Sequence, residues 1–297
     1  MRRPTHELFV RQGILAAVAV LLAAGPCLAQ ELTVTHQERA VAPGEVLLLT
    51  VSASRALSDV SVAAFGRSAP VFAGTDPSVW HALVAIDADA KAGAAAISVA
   101  ARVGGVRRQT TLNIVVARKI FSTRRLSVDP RFVTPPESEL PRIAREQKLL
   151  GELLAAVSPA RAWHGAFLKP VDGAPVSNFG VRSVYNGTPA GVHRGTDFAG
   201  AEGVPIRAPG GGRVVAAQDF YYSGNTVVID HGLGVFSLLA HMSRMDVRAG
   251  DAVEAGQVIG AVGATGRVTG PHLHWTLRIG AAVVDPLSLL ALAGMPR

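Results

Sequence analysis

The stretch Gly270-Pro271-His272-Leu273-His274-Trp275 places two imidazoles two residues apart inside an apolar, strand-like run. If Leu273 to Ile279 continues as a β-strand, its period of two sets His272 and His274 on one face and Leu273 and Trp275 on the other. A lone histidine in a strand is usually packed or solvated, whereas two on one face offer a metal ion a ready pair of nitrogens. Upstream, Gly191-Val192-His193-Arg194-Gly195-Thr196-Asp197 adds another imidazole and a carboxylate. Its glycines argue for a loop or strand end rather than a helix. His193, Asp197 and one histidine of the pair would supply two nitrogens and one oxygen, the three-ligand set of an open catalytic zinc site that keeps water in its fourth position. The other histidine of the pair, with His241 in Leu239-Ala240-His241-Met242, is left for proton chemistry. An HxH or an HxxxD alone says little. Together, with a third histidine between them, they point to a metal centre rather than to scattered structural histidines.

Other chemistries lack their residues. No HExxH occurs, so a helix-borne zinc site with a glutamate base is excluded, and no GxSxG supports a serine nucleophile. Arg248 to Gln257 has the look of the hairpin text of biotinyl or lipoyl carriers, but no lysine follows Lys169 to carry the group. His36, His81 and His164 have no partner motif. His231, in a turn before Gly232-Leu233-Gly234, reads as structural, and Asn178 and Arg182 either line a groove or bond locally.

The C-terminal part resembles the lysostaphin or LytM-type zinc endopeptidases that cut peptide bonds in peptidoglycan. The matching text is Asn178-Phe179-Gly180-Val181-Arg182, His193 to Asp197, Asn225 to Gly232, Leu239 to Met242, Gly250 to Val253, Gly256 to Gly260, and Thr265-Gly266 running into Gly270 to Trp275. The resemblance extends from Phe167 to Pro286 and is specific in combination. It implies that His193, Asp197 and His274 bind Zn2+, that His241 and His272 are catalytic, and that peptidoglycan is the substrate. One departure is Leu239, where the family commonly has a tyrosine two residues before the histidine. The alternative within the same family is a non-catalytic wall-binding protein that activates another hydrolase. Such proteins typically lack zinc-site residues, and all five are present here.

The elements that must position these residues follow from composition and patterning. Of 297 residues 49% are hydrophobic and 17% charged, enough apolar material for two cores. The net charge of +7 suits an anionic surface, and no nucleic-acid motif with interleaved aromatics accompanies it. Arg2, Arg3 and Arg11 precede an uncharged run from Gly13 to Leu28 that closes on Cys27-Leu28-Ala29, the pattern of a secretory signal peptide over residues 1–29. Its removal would leave an exported, periplasmic or envelope protein with no stable membrane insertion. It would also take away Cys27, the single cysteine, so a metal would be held by nitrogen and oxygen alone.

Over residues 30–118 short β-rich runs alternate with breakers such as Pro43-Gly44 and Gly104-Gly105, which predicts an immunoglobulin-like β-sandwich acting as a targeting module or a spacer. Residues 119–166 read as a linker, extended toward Pro135-Pro136 and then helical over 139–157, with Leu140, Ile143, Gln147, Leu150 and Leu154 on one side. That helix would pack against the catalytic unit or, alternatively, occlude its site. From 167 to 297 the text is glycine- and β-rich, predicting an antiparallel β LytM-type domain with a groove formed by loops and a helical tail from Leu287 to Ala293. The fold class expected is therefore mainly β, and a C-terminal fragment beginning near Ser158 is expected to fold alone.

Overall fold

The computed structural model describes residues 31–292 and 295–296. The signal-peptide stretch and Cys27 lie outside the described residues. The fold is mainly β, with antiparallel sheets and few helices. No helix among the described residues is long and apolar enough to cross a membrane.

Two four-stranded antiparallel sheets form the N-terminal part. One joins Thr33–Gln37, Val46–Ser52, Val79–Ala85 and Val71–Ala73; the other joins Arg67–Ser68, Leu57–Ala64, Gly93–Val103 and Val106–Val116. Alternation drives them together, because Leu47, Leu49, Val51, Val62, Val84, Ile97 and Val99 all point into one core while their neighbours take the opposite face of each sheet. The opposite face of Val46–Ser52 is apolar as well. Val46 and Leu48, with Phe72 and Leu83, enter a second core shared with Trp163, Phe167, Val235, Leu277 and Val284 of the C-terminal part. The two parts are thus fused by burial, reinforced where Arg39 bridges Glu45 (2.7 Å) and Asp285 (2.6 Å).

The segment 119–166 does more than connect. Thr123–Leu126 pairs in parallel with Arg182–Tyr185, which in turn pairs with Thr188–Val192, so a strand from upstream builds one wall beside the later site. This is a parallel exception in a C-terminal part predicted to be antiparallel. The helix Leu140–Ala155 lays Leu149, Leu150, Leu153 and Leu154 on Ala216, Phe220, Val228 and Phe236. Arg142, paired within the helix with Glu146 (2.6 Å), ties it down through Asp219 (2.8 Å). The helix contributes no residue to the groove around the histidines, so it does not occlude them.

The central sheet runs in the order Pro175–Ser177, Thr196–Ala199, His272–Ile279, Val235–Met245, Gly224–Asp230, Gly212–Phe220 and Ala252–Val253. Val258–Val262 pairs with both Val235–Met245 and Pro205–Arg207. The core beneath is Phe198, Ile206, Val227, Ile229, Leu239, Leu273 and Trp275. The tail helix is Pro286–Leu290, shorter than its apolar pattern suggests and capped by the Asp285 side chain on the Leu287 N–H.

Candidate metal centre and its groove

His272–Ile279 alternates as the period of two demands, with Leu273, Trp275, Leu277 and Ile279 buried and His272 and His274 on the other, half-buried side. Antiparallel pairing sets Asp197 directly opposite His274 and Ala199 opposite His272. The turn before Thr196–Ala199 brings in His193, whose N–H donates to the Val181 carbonyl (2.8 Å) and whose carbonyl accepts from Gly180 (2.8 Å). Gly195 makes room for this: a Cβ there would lie 2.6 Å from Cε1 of His274 and 2.5 Å from the Trp275 carbonyl.

Three ligand atoms converge as a result. Asp197 Oδ1 lies 2.9 Å from His193 Nε2 and 2.7 Å from His274 Nδ1, and the two nitrogens are 3.0 Å apart. Protons decide what this cluster can hold. His193 Nδ1–H donates to the Asn178 carbonyl at 3.0 Å, which leaves Nε2 a bare lone pair in the neutral ring. Thr276 Oγ1, 2.9 Å from His274 Nε2, can accept a proton there and so leave Nδ1 bare as well. Two nitrogen lone pairs and a carboxylate oxygen then face one point, an arrangement that repels itself unless a cation occupies it. The donor set therefore fits a metal ion. Although burial alone would raise the Asp197 carboxyl, its hydrogen bonds and charge contacts with His193 and His274 hold it well below the usual carboxylate range.

His241 reaches the same place by a different device. Strict alternation along Val235–Met245 would turn it to the side of Leu239, which is fully buried in the core. The strand instead bulges between Leu239 and Met242, opposite Thr226, and His241 sits at φ +65°, a left-handed conformation costing about 1–3 kcal/mol in a non-glycine residue. The surrounding backbone holds it there. The His241 N–H donates to the Ser223 carbonyl (2.9 Å), and Nδ1–H donates to the Thr265 carbonyl (2.8 Å), leaving Nε2 as an acceptor. Thr265 is itself locked: its hydroxyl donates to the Met242 carbonyl (2.9 Å) and accepts the Asn225 N–H (3.0 Å). With leucine at 239, support for His241 thus comes from the Thr265 carbonyl. Burial, with His274 and His272 close by, pushes His241 down to about 3.

His272 Nδ1–H donates to the Gly270 carbonyl (2.8 Å), so its Nε2 also presents a lone pair, 3.7 Å from Asp197 Oδ1. The His241 and His272 rings lie 5.0 Å apart. All five residues singled out from sequence therefore meet, in a groove of about 280 Å³. His231 does not. It is fully buried, donating from Nδ1 to the Gly211 carbonyl and accepting at Nε2 from Ser237, whose oxygen also takes the Trp275 N–H. His36 pairs with Glu38, and His81 stacks on Phe72, both remote from the groove.

Four groove residues were not visible as such in the sequence. Arg124, in the strand Thr123–Leu126, donates to Ser177 (2.6 Å) and Ser183 (3.3 Å) and stands 3.8 Å from Asp197 Oδ2, a positive charge beside the buried carboxylate. Tyr185, Tyr222 and Arg267 line the groove farther along. Arg124-Arg125 registered only as local basicity, and Arg267 adjoins the Thr265-Gly266 motif without a partner in sequence to mark it.

The description "Peptidase family M23" matches residues 191–286. Peptidoglycan DD-endopeptidase ShyA of Vibrio cholerae is 42% identical over 112 residues, 37% of this chain and 26% of that protein. DD-carboxypeptidase/endopeptidase Mpg of Neisseria meningitidis is 43% identical over 98 residues, 33% of this chain and 23% of that protein. The chain thus spans about a quarter of the length of these curated relatives. A crystal structure from Pseudomonas aeruginosa described as a peptidase M23 is 30% identical, superposes with a TM-score of 0.64, and is matched over 84% of this chain and 95% of its own. A relative at this identity, shared over nearly its whole length, places the chain in peptidase family M23.

Proposed function

We propose that the protein is a zinc-dependent endopeptidase that hydrolyses peptide cross-links or stem peptides of bacterial peptidoglycan. The observation that carries this reading is the convergence of His193 Nε2, Asp197 Oδ1 and His274 Nδ1 on one point, with the Nε2 atoms of His241 and His272 beside it. Zinc held by that triad would acidify a water and polarise the amide carbonyl. With their Nδ1 protons committed to backbone carbonyls, His272 can take a proton at Nε2 and return it to the leaving amine, while His241, which burial keeps neutral, can orient the water through its bare Nε2 and share that proton as charge develops. The bulge and the left-handed backbone at His241 fit a group whose position matters more than its local comfort.

The remaining assignments complete the proposal. Residues 1–29 are a signal peptide and the mature chain works in the periplasm or envelope. Residues 30–118 are an immunoglobulin-like sandwich, 119–166 a connector with its helix, and 167–297 the catalytic domain. The names of the relatives ShyA and Mpg support peptidoglycan as substrate. Digesting purified wall sacculi with the full mature chain, with zinc content measured alongside, tests the proposal. New amino ends identified by mass spectrometry, lost on chelation and restored by zinc, are expected. Intact sacculi in the presence of stoichiometric zinc would favour the non-catalytic activator instead.

A further inference from the structure

We infer that Arg267 is a carboxylate-binding subsite of the groove, and that the peptides turned over best carry a free carboxylate that it grips. This rests on the proposed peptidase reading and adds the substrate chemistry. The guanidinium of Arg267 lies 4.9 Å from the Tyr185 ring centroid and 4.8 Å from that of Tyr222, one ring on the wall strand Arg182–Tyr185 and the other in the turn between the central-sheet strands Gly212–Phe220 and Gly224–Asp230. The Arg267 N–H donates to the Tyr222 carbonyl (2.8 Å), fixing the base of the side chain as well. Among the described residues its guanidinium makes no hydrogen bond or ion pair, in contrast to Arg124 on the strand beside Tyr185, which is held by Ser177 and Ser183. Among the described residues the only acidic one lining the groove is Asp197, and His193 and His274 already claim it.

A half-buried cation fixed by two aromatic rings has given up rotamer freedom in advance. Its ring contacts use the π faces and leave in-plane N–H donors for an anion. A planar fork of this kind matches a carboxylate bidentately, as a lysine ammonium does not. Wall peptides can present that group in two ways, as the C-terminal carboxylate of a stem or as the side-chain carboxylate of a diamino acid in it.

The test uses the full mature chain with zinc and three synthetic peptides of one sequence: the parent with both carboxylates, its C-terminal carboxamide, and its side-chain carboxamide. Affinity is measured by calorimetry on versions with a ketomethylene isostere at the scissile bond, and kcat/KM on the cleavable ones. The parent should bind about 10- to 100-fold more tightly than one of the two amides, and which amide is penalised identifies the source of the carboxylate. Arg267→Gln should erase that difference, bringing the affinity for the parent down to that for the penalised amide. Arg267→Lys should recover little of it, and Arg194→Gln, at an exposed position on the same groove, should leave it intact. Equal affinity of wild type for all three isosteres, or an equal loss from Arg194→Gln, would overturn the subsite. The affinity differences stand without turnover, so absence of cleavage of every peptide would sink the hydrolase reading by itself.

Discussion

Thr276 is the position at which the proton argument can be put to the sharpest test. If His274 offers Nδ1 to a metal, its Nε2 must carry the proton, and the acceptor in reach is Thr276 Oγ1 at 2.9 Å. Thr276→Val keeps the β-branched shape on a strand position and deletes only that acceptor. A net hydrogen bond between neutral groups contributes about 0.5–1.5 kcal/mol, which corresponds to roughly a 2- to 13-fold change in affinity. Partners that also fix the tautomer and ring angle of a ligand histidine are typically responsible for about 10- to 100-fold. Here the ring angle has a second restraint, because the backbone at Gly195 packs against Cε1 and Nε2 so closely that no Cβ would fit. The two ranges overlap near tenfold, and that is the weakening of zinc affinity expected for Thr276→Val. Thr276→Ser should restore most of it. Competition against a chromophoric chelator measures the affinity, with thermal melting as a control for folding. An unchanged affinity in Thr276→Val would refute the assignment of Nδ1 as the ligand atom.

His274→Ala should lose bound zinc and activity together, whereas His272→Ala should keep near-stoichiometric zinc while turnover falls about 10²-fold or more; atomic absorption beside peptide rates decides, and the reverse pattern would show the pair assigned backwards. Burial pushes His231 down to about 4 from 6.5 in an unfolded chain, so its contribution to stability is intact above pH 6.5 and is lost as pH falls from 6.5 through 4, by about 3 kcal/mol in all. Urea melts across that range should show this slope in wild type and a shallower one in His231→Asn; parallel slopes would place the acid sensitivity elsewhere. Arg39→Met leaves Asp285 without its cation and the buried Glu45 with Lys119 alone, and with Arg39 itself about one-third exposed a loss of about 1–3 kcal/mol is expected by denaturant titration. A fragment beginning near Ser158 exposes Trp163, Val235, Leu277 and Val284 to water, so it should melt lower than the mature chain and bind a hydrophobic dye; equal melting temperatures would show that the shared core adds nothing.

Much of this protein is local text. The period of two at His272–Ile279 put both histidines on one face whatever surrounded them. Apolar β-rich runs such as Gly93–Val103 and Val258–Val262 were legible because alternation and flanking turns act over a few residues. The apolar stripe of Leu140–Ala155 likewise declared its helix. What stayed hidden was decided by distant pairing. Thr123–Leu126, Arg182–Tyr185 and Thr188–Val192 are short and lack an alternating apolar face, and they are strands because they hydrogen-bond to one another, not because their residues favour it. With them came Arg124, which sequence left in a linker, and Tyr185, to which sequence gave no role. The turning of His241 into the groove depends on a bulge opposite Thr226 and on the Thr265 carbonyl, neither of which alternation along its own strand could announce. The fusion of the two parts, too, needed the far face of Val46–Ser52 to meet Trp163 and Leu277, since an apolar residue declares that it will be buried but not against what. Residue type and spacing named the chemistry, and long-range packing chose the walls around it, because only the folded chain brings residues so far apart in sequence within reach of one ion.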